Sequence, residues 1–516
     1  MPITVSFAPP SPVPVALTGP VPLHPGDHAV ERSGTGAPMV VRAVAGDRSV
    51  ATESGRIWPA GHLQRCAPPG DPVPAGLTPT GQVAGAGGRH LLIRGENAHA
   101  AAVLEAEHGP SFDLIYLDPP YDTGTQLSYA DSRDDWADFF HARLVRAARL
   151  LRRPSGVVII AIDDRRLHWA RLIADEVLGT SSFVANVVWD GGVKGQSRLV
   201  SVAHDYMLIY VADPDWYKAA KVKWREPKPG TDQVLAAARR LWDGDPASSR
   251  QKMVAWFKTL SPDNPARALY LYCCFTPEGR LFREGPVSRP GGDGYRYDVI
   301  HPVTGEPVVP PAGGWRYSQD RMAQMLAAGR IQFRADHTTS IASRLFLDEQ
   351  TDQVASSVFT EVRTRAAKRL AARVGPGKFT YPKDPTVLAR WFALATRNDP
   401  QAKVLDLFAG SGATGEAVMA MNAADGGRRT SVCVTNNEVS SKDARELEEA
   451  GVVPGSAQWE ARGVFEQVTR PRLEIAAAEY GEHLDVADLT LGAGPHLLDG
   501  TGLVAAAAET KEHAAA

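Results

Sequence analysis

The sequence sets an acid, two prolines and a tyrosine, Asp118-Pro119-Pro120-Tyr121, directly after the apolar run Asp113-Leu114-Ile115-Tyr116-Leu117. A carboxylate at the C-terminal end of a strand, followed by two residues of fixed φ, makes a rigid loop at the mouth of a parallel sheet, where open α/β folds place their ligands. Proline carries no N–H, so the loop leaves backbone carbonyls without competing donors. An exocyclic amino group can then donate one proton to the Asp118 carboxylate and the other to the Pro119 carbonyl, while Tyr121 stacks on the ring that bears it. Such a pair of acceptors draws the nitrogen lone pair out of conjugation and aims it at an electrophile. The nitrogen becomes acidic only as it is alkylated, so no strong general base is needed beforehand. The bland alternative is a Pro-rich turn between a strand and a helix.

A second cluster lies at Asp406–Gly415, with the sequence DLFAGSGATG. Gly410, Gly412 and Gly415 complete a GxGxxG between an apolar strand and a helix, the context in which backbone N–H groups come close to a ligand. A dinucleotide site and an S-adenosylmethionine site both use this turn, and so does a tight turn with no ligand. Either ligand wants an acid at the tip of the next strand to accept from its ribose hydroxyls, and Glu438, which ends SVCVTNNE, is placed for that. The amino-group loop at Asp118 favours S-adenosylmethionine, because a nicotinamide oxidoreductase would leave it unexplained.

These loops require a sheet to hold them. From residue 90 strands alternate with amphipathic helices: His90–Arg94, Asp113–Leu117, Val157–Asp163, Ala185–Trp189 and Tyr206–Val211 read as strands. Between the second and third, Trp136, Phe139, Phe140, Leu144 and Leu151 recur at helical spacing behind a capping box at Ser132 and Asp135. This is βαβ grammar, hence an α/β fold with a doubly wound, mostly parallel sheet. The grammar lapses over 214–375, where only short helices near Gln233–Leu241 and Arg321–Ala328 are expected, and resumes at Lys403. A stripe of Arg143, Arg146, Arg149 and Arg153 reads as a solvated helix face.

Fifteen of the 39 prolines lie in residues 1–85, which suggests a small β module over 22–66 followed by a linker at 67–88. The 56 Lys and Arg against 59 Asp and Glu exclude a generic polyanion binder while leaving room for a local basic cleft. One local candidate is Asp215–Gly230, which mixes five cations with three aromatics; a solvated basic loop is as good a reading. Four scattered cysteines without a CxxC speak against a disulfide framework or a zinc site, and no metal is expected. His141, His168 and His204 offer no catalytic arrangement. The N-terminus lacks a signal peptide's pattern and no apolar run would span a bilayer, so a soluble, cytoplasmic and nucleoid-associated protein without a membrane partner is expected.

In this order, IRGEN at 93–97, DLIYLDPPYDTG, AIDD at 161–164, GGWRYS at 313–318, KFTYPKDP at 378–385 and FAGSG resemble the N6-adenine DNA methyltransferases of the permuted β type. The likeness is strongest to modification subunits of type III restriction systems, and it covers roughly residues 88–470. It implies a circularly permuted, Rossmann-like methyltransferase with an inserted α+β target-recognition domain. It also implies catalysis by Asp118, Pro119, Pro120 and Tyr121. S-adenosylmethionine would be held by Asp406, Phe408, Ala409, Gly410, Ser411, Gly412, Glu438, Tyr381 and Lys383. The organisation expected is an N-terminal region at 1–88, a catalytic half at 89–213, the insertion at 214–375, a cofactor half at 376–470, and a C-terminal helix and Ala-rich tail at 471–516. Double-stranded DNA, a homodimer and a separate helicase-nuclease subunit are the implied partners, in restriction-modification or another phage-defence system. N4-cytosine methylation remains an alternative, and so does a non-catalytic DNA-recognition subunit.

Overall fold

The computed structural model describes residues 28–31, 39–44, 50–52, 57–58, 63–65, 73–121, 136–192 and 198–492. The chain divides into two compact units, Met1–Val222 with Ser356–Ala516, and Lys223–Ala355.

Ten strands of the first unit form one sheet: β1 (Val73–Val83), β2 (Arg89–Arg94), β3 (Leu114–Leu117), β4 (Val157–Ile162), β5 (Phe183–Asp190), β6 (His204–Val211), β7 (Val358–Thr360), β8 (Lys403–Asp406), β9 (Thr430–Thr435) and β10 (His483–Gly492). Their order is β7-β5-β6-β4-β3-β8-β9-β2-β10-β1. The six strands from β4 to β10 are parallel, and β6 and β1 flank them antiparallel. Every residue of β3 and β4 is buried, which is why both read as unbroken apolar runs rather than alternating ones.

Helices α1 (Asn97–His108), α2 (Trp136–Leu150) and α3 (Leu167–Ala174) share one core with Ile93, Leu405, Leu407, Val432 and Val434. Helices α4 (Thr364–Val374) and α5 (Pro385–Ala395) lead back into the sheet. Then α6 (Ala413–Asp425) and α7 (Arg470–Tyr480) share a second core with Leu92, Cys433, Leu484 and Val486. Neighbours in sequence, Leu92 and Ile93 or Cys433 and Val434, thus fall into different cores, as the two-residue period of a strand demands. The sheet is covered on both faces, and the fold is the expected doubly wound one.

Three expectations change. Residues 67–88 are not all linker, because Val73–Val83 forms the edge strand β1 on β10. Its prolines and glycines hid it, and an edge strand with two register shifts tolerates them. The chain after 471 likewise holds a ten-residue strand beyond its helix. Finally, Arg143 and Arg146 are not solvated: they are 8% and 3% exposed, because α1 packs on α2 and meets them with Glu96 and Glu105. The capping box at Ser132 and Asp135 and the tail beyond 492 lie outside the described residues.

The second unit is narrower than the expected insertion, since β7 and α4 belong to the first. It holds a four-stranded antiparallel sheet (Cys274–Phe275, Leu281–Gly285, Ala342–Phe346, Ile331–Gln332). Its helices at Thr231–Leu241 and Gln319–Ala327 were expected. A third, Pro246–Thr259, was not, although its Asp245 cap and Pro246 are a readable start signal. Within 22–66, five short strands make a separate antiparallel sheet.

If β1 is part of the sheet, deleting residues 1–88 will strip β10 of its outer partner and leave it paired with β2 alone. Thermal unfolding of that truncation is expected several degrees below that of a chain starting at Val73, with aggregation through the bared edge. Equal melting temperatures would restore the linker reading.

Candidate active site

The parallel pairing of β3 with β8 sets Tyr116 opposite Asp406. The DPPY loop and the glycine loop, 288 positions apart in sequence, therefore leave the same end of adjacent strands.

On the β3 side, the Tyr121 hydroxyl donates to Asp118 Oδ1 at 2.7 Å. Burial first, and the Asp118 charge second, push that phenol well above its ordinary pKa, so it stays a donor. Trp136 at the start of α2 is fully buried and donates Nε1–H to the Pro120 carbonyl at 2.7 Å, tying the loop to the helix core. The Pro119 carbonyl, the second acceptor expected for an amino group, has no hydrogen-bond partner among the described residues.

Lys383, expected beside the cofactor, lies instead on this loop. Its Nζ donates to both Asp118 oxygens and to the Tyr121 hydroxyl oxygen, each at 2.7 Å. Tyr381, two residues earlier, has a left-handed φ of +58° and is 64% exposed.

On the β8 side, Gly410 and Gly412 have φ of +47° and +80°, a conformation that disfavours any side chain. A Cβ at Gly410 would also stand 3.3 Å from the Phe379 ring, so that ring packs close against the loop. Asp406 is 2% exposed and serves the loop itself, accepting from Phe408 N–H at 2.8 Å and the Thr414 hydroxyl at 2.5 Å. Burial pushes its carboxyl up to about 7 despite those donors. Phe408 packs against Phe139, and Ala409 belongs to the α6–α7 core. Glu438 follows β9 and accepts from Asn436 Nδ2 at 2.7 Å.

Residues that pattern reading missed hold the loop from behind. Thr469 donates to the Gly410 carbonyl at 2.5 Å, and Arg472 donates to Ser411 O and Oγ at 3.1 and 2.8 Å. Arg472, fully buried, also pairs with Glu416 at 2.6 Å, and Arg373 binds the other oxygen of that carboxylate. The one sequence signal was a charge set among Leu473, Ala476 and Ala477. Asn97, capped by Arg143 at its Oδ1, donates to the Leu407 carbonyl at 2.9 Å, so IRGEN braces the end of β8.

Residues 112–424, more than half of the chain, match the DNA methylase family. The chain belongs to this family. Among relatives, the EcoP15I Mod subunit of a type III restriction-modification enzyme from Escherichia coli is 25% identical over 65% of this chain and 56% of its own length. The type II methyltransferase M.KpnI of Klebsiella pneumoniae is 24% identical over 67% of this chain and 81% of its own. This family member spans about half the length of the type III Mod subunits it matches. The solved PvuII cytosine-N4-specific DNA methyltransferase aligns with 80% of this chain and 97% of its own at 11% identity and a TM-score of 0.33.

Among the described residues no group of His, Cys, Asp and Glu could hold a metal ion, and no helix is long and apolar enough to cross a membrane. In the stretch Asp215–Gly230, Arg225 is paired with Asp352 and Lys228 donates to the Gln350 carbonyl, so two of its five cations have partners inside the second unit.

Two outcomes follow. Arg472→Met leaves Glu416 buried with a weaker counter-charge and should cost roughly 3–5 kcal/mol in denaturant unfolding, part of it recovered by adding Glu416→Leu. A raised carboxyl pKa stabilises the fold below the unfolded value near 4, and that contribution is lost as pH rises through about 7. Glu105 is pushed up to about 7 as well, so the measurement must be a difference between variants. Asp406→Asn should therefore gain melting temperature relative to wild type between pH 5 and pH 8; a constant difference would refute the shift.

Proposed function

We propose that this chain transfers a methyl group from S-adenosylmethionine to the N6 amino group of adenine in double-stranded DNA. The observation that carries the reading is the Asp118–Tyr121 acceptor set standing one strand away from a glycine loop held open by its φ angles. When bound, S-adenosylmethionine supplies a methyl group on positively charged sulfur. The left-handed glycines Gly410 and Gly412, with the Phe379 ring beside the first, would hold such a ligand, and Glu438, which follows β9, would accept from its ribose hydroxyls.

The protein's part is to seat the amino group and strip its resonance. The target base leaves the duplex at a cost of a few kcal/mol, offset by stacking on Tyr121 and hydrogen bonds to its edge. Its amino group donates to Asp118 and to the Pro119 carbonyl, which aims the nitrogen lone pair. The nitrogen would take the methyl carbon as its bond to sulfur broke, the sulfur keeping the bonding pair, and would shed one proton to Asp118 or water.

The Lys223–Ala355 unit reads as the target-recognition domain. The Mod subunits among the relatives support a place in restriction-modification, with a separate restriction subunit as partner; a homodimer as the assembly and the cytoplasm as the compartment complete the reading.

Asp118→Ala should abolish methyl transfer to DNA while S-adenosylmethionine still binds by calorimetry. Retained transfer at the wild-type rate would sink the assignment. Nucleoside digestion of the product should yield N6-methyladenine; N4-methylcytosine would move the reading to cytosine.

A further inference from the structure

The Lys383 ammonium does what the proposed substrate nitrogen must do. It donates to both oxygens of Asp118 and to the Tyr121 hydroxyl oxygen at 2.7 Å, and it stands 4.8 Å from the Tyr121 ring centroid. An amino group bound by Asp118 with its ring against Tyr121 would need the space beside that ring and the Asp118 lone pairs that Lys383 holds, while its second acceptor, the Pro119 carbonyl, is left open by the lysine. Both nitrogens cannot be seated together.

We infer that Lys383 is a placeholder for the target amino group, seated in the base-free enzyme and displaced when the flipped base arrives, an inference that rests on the methyl-transfer reading above. Three features support this role. Asp118 and Lys383 are both shielded, with side chains 22% and 13% exposed, so an Asp118 without a partner would carry a desolvation cost that the ammonium offsets. The ammonium also holds the Asp118 carboxylate and the Tyr121 hydroxyl in register, so the acceptors are formed before the base reaches them. Lastly, the motion asked for is small. Asp384, next in sequence, is pinned by accepting from the Thr386 N–H and hydroxyl and from Arg369, while the lysine's four-carbon stem can swing on an unmoved backbone. Lys383 is thus a positioning residue, and arrival of the correct base exchanges a charged donor on Asp118 for a neutral one, at the cost of the ion pair.

The test uses the full chain and steady-state methylation of duplex DNA. Removing the competitor in Lys383→Ala should lower KM for DNA about fivefold, the scale of a partly shielded ion pair, while kcat does not rise. Methylammonium added to Lys383→Ala should refill the seat and inhibit competitively with DNA, while leaving wild type unaffected at the same concentration. Lys383→Arg, which keeps the charge, should show KM at or above the wild-type value and melt within a few degrees of it. An unchanged or raised KM in Lys383→Ala would overturn the inference. So would methylammonium acting equally on both proteins, which a merely structural lysine predicts. Absence of any transfer by the wild-type chain would overturn the methyl-transfer reading and this inference with it.

Discussion

Everything at the site depends on one register: β3 and β8 run parallel and adjacent, with Tyr116 opposite Asp406. Each strand ends in a loop of its own kind, the Asp118–Tyr121 loop on one side and the Gly410–Gly412 loop on the other. A parallel ladder delivers both loops to the same end of the sheet, whatever length of chain separates them. The separation of 288 positions is then of no consequence to the site, and the second unit can occupy part of it without disturbing the pairing. A one-residue slip would turn Asp118 or the glycines to the opposite face, so the site stands only in the register that sets Leu114, Ile115 and Tyr116 opposite Val404, Leu405 and Asp406.

The loops themselves are kept in shape by charges taken out of water. Arg472 and Arg373 meet Glu416 behind the glycine loop, and Arg143 meets Glu96 and Asn97 beside the end of β8. Such pairs add little net stability over apolar packing, but they are directional, and removing one partner is costly. That directionality suits a place where backbone carbonyls of Gly410, Ser411 and Leu407 must be held at fixed positions. Asp406 belongs to the same class: it is spent on the Phe408 N–H and the Thr414 hydroxyl.

Much of this was legible beforehand. Periodicity located β2 through β6, β8, β9 and α2 because buried parallel strands and amphipathic helices leave strong one-dimensional patterns. The edge strand β1 and its neighbour β10 were not legible, and β1 was hidden by prolines and glycines that an edge tolerates. The arginine stripe on α2 misled for a related reason: periodicity shows which residues share a face, not what that face meets. Arg143 and Arg146 face α1, whose acids lie some forty residues earlier in the chain.

By itself, then, the sequence determined the α/β class and which residues the two loops carry, because motif residues and strand periods are local properties of the chain. Only the tertiary structure decided what those residues touch. It moved Lys383 from the cofactor segment to the Asp118 carboxylate and recruited Thr469 and Arg472 as supports for the glycine loop. The physical reason is that hydrogen bonds and ion pairs act over about 3 Å in space, and which residues come that close is set by strand order rather than by spacing along the chain.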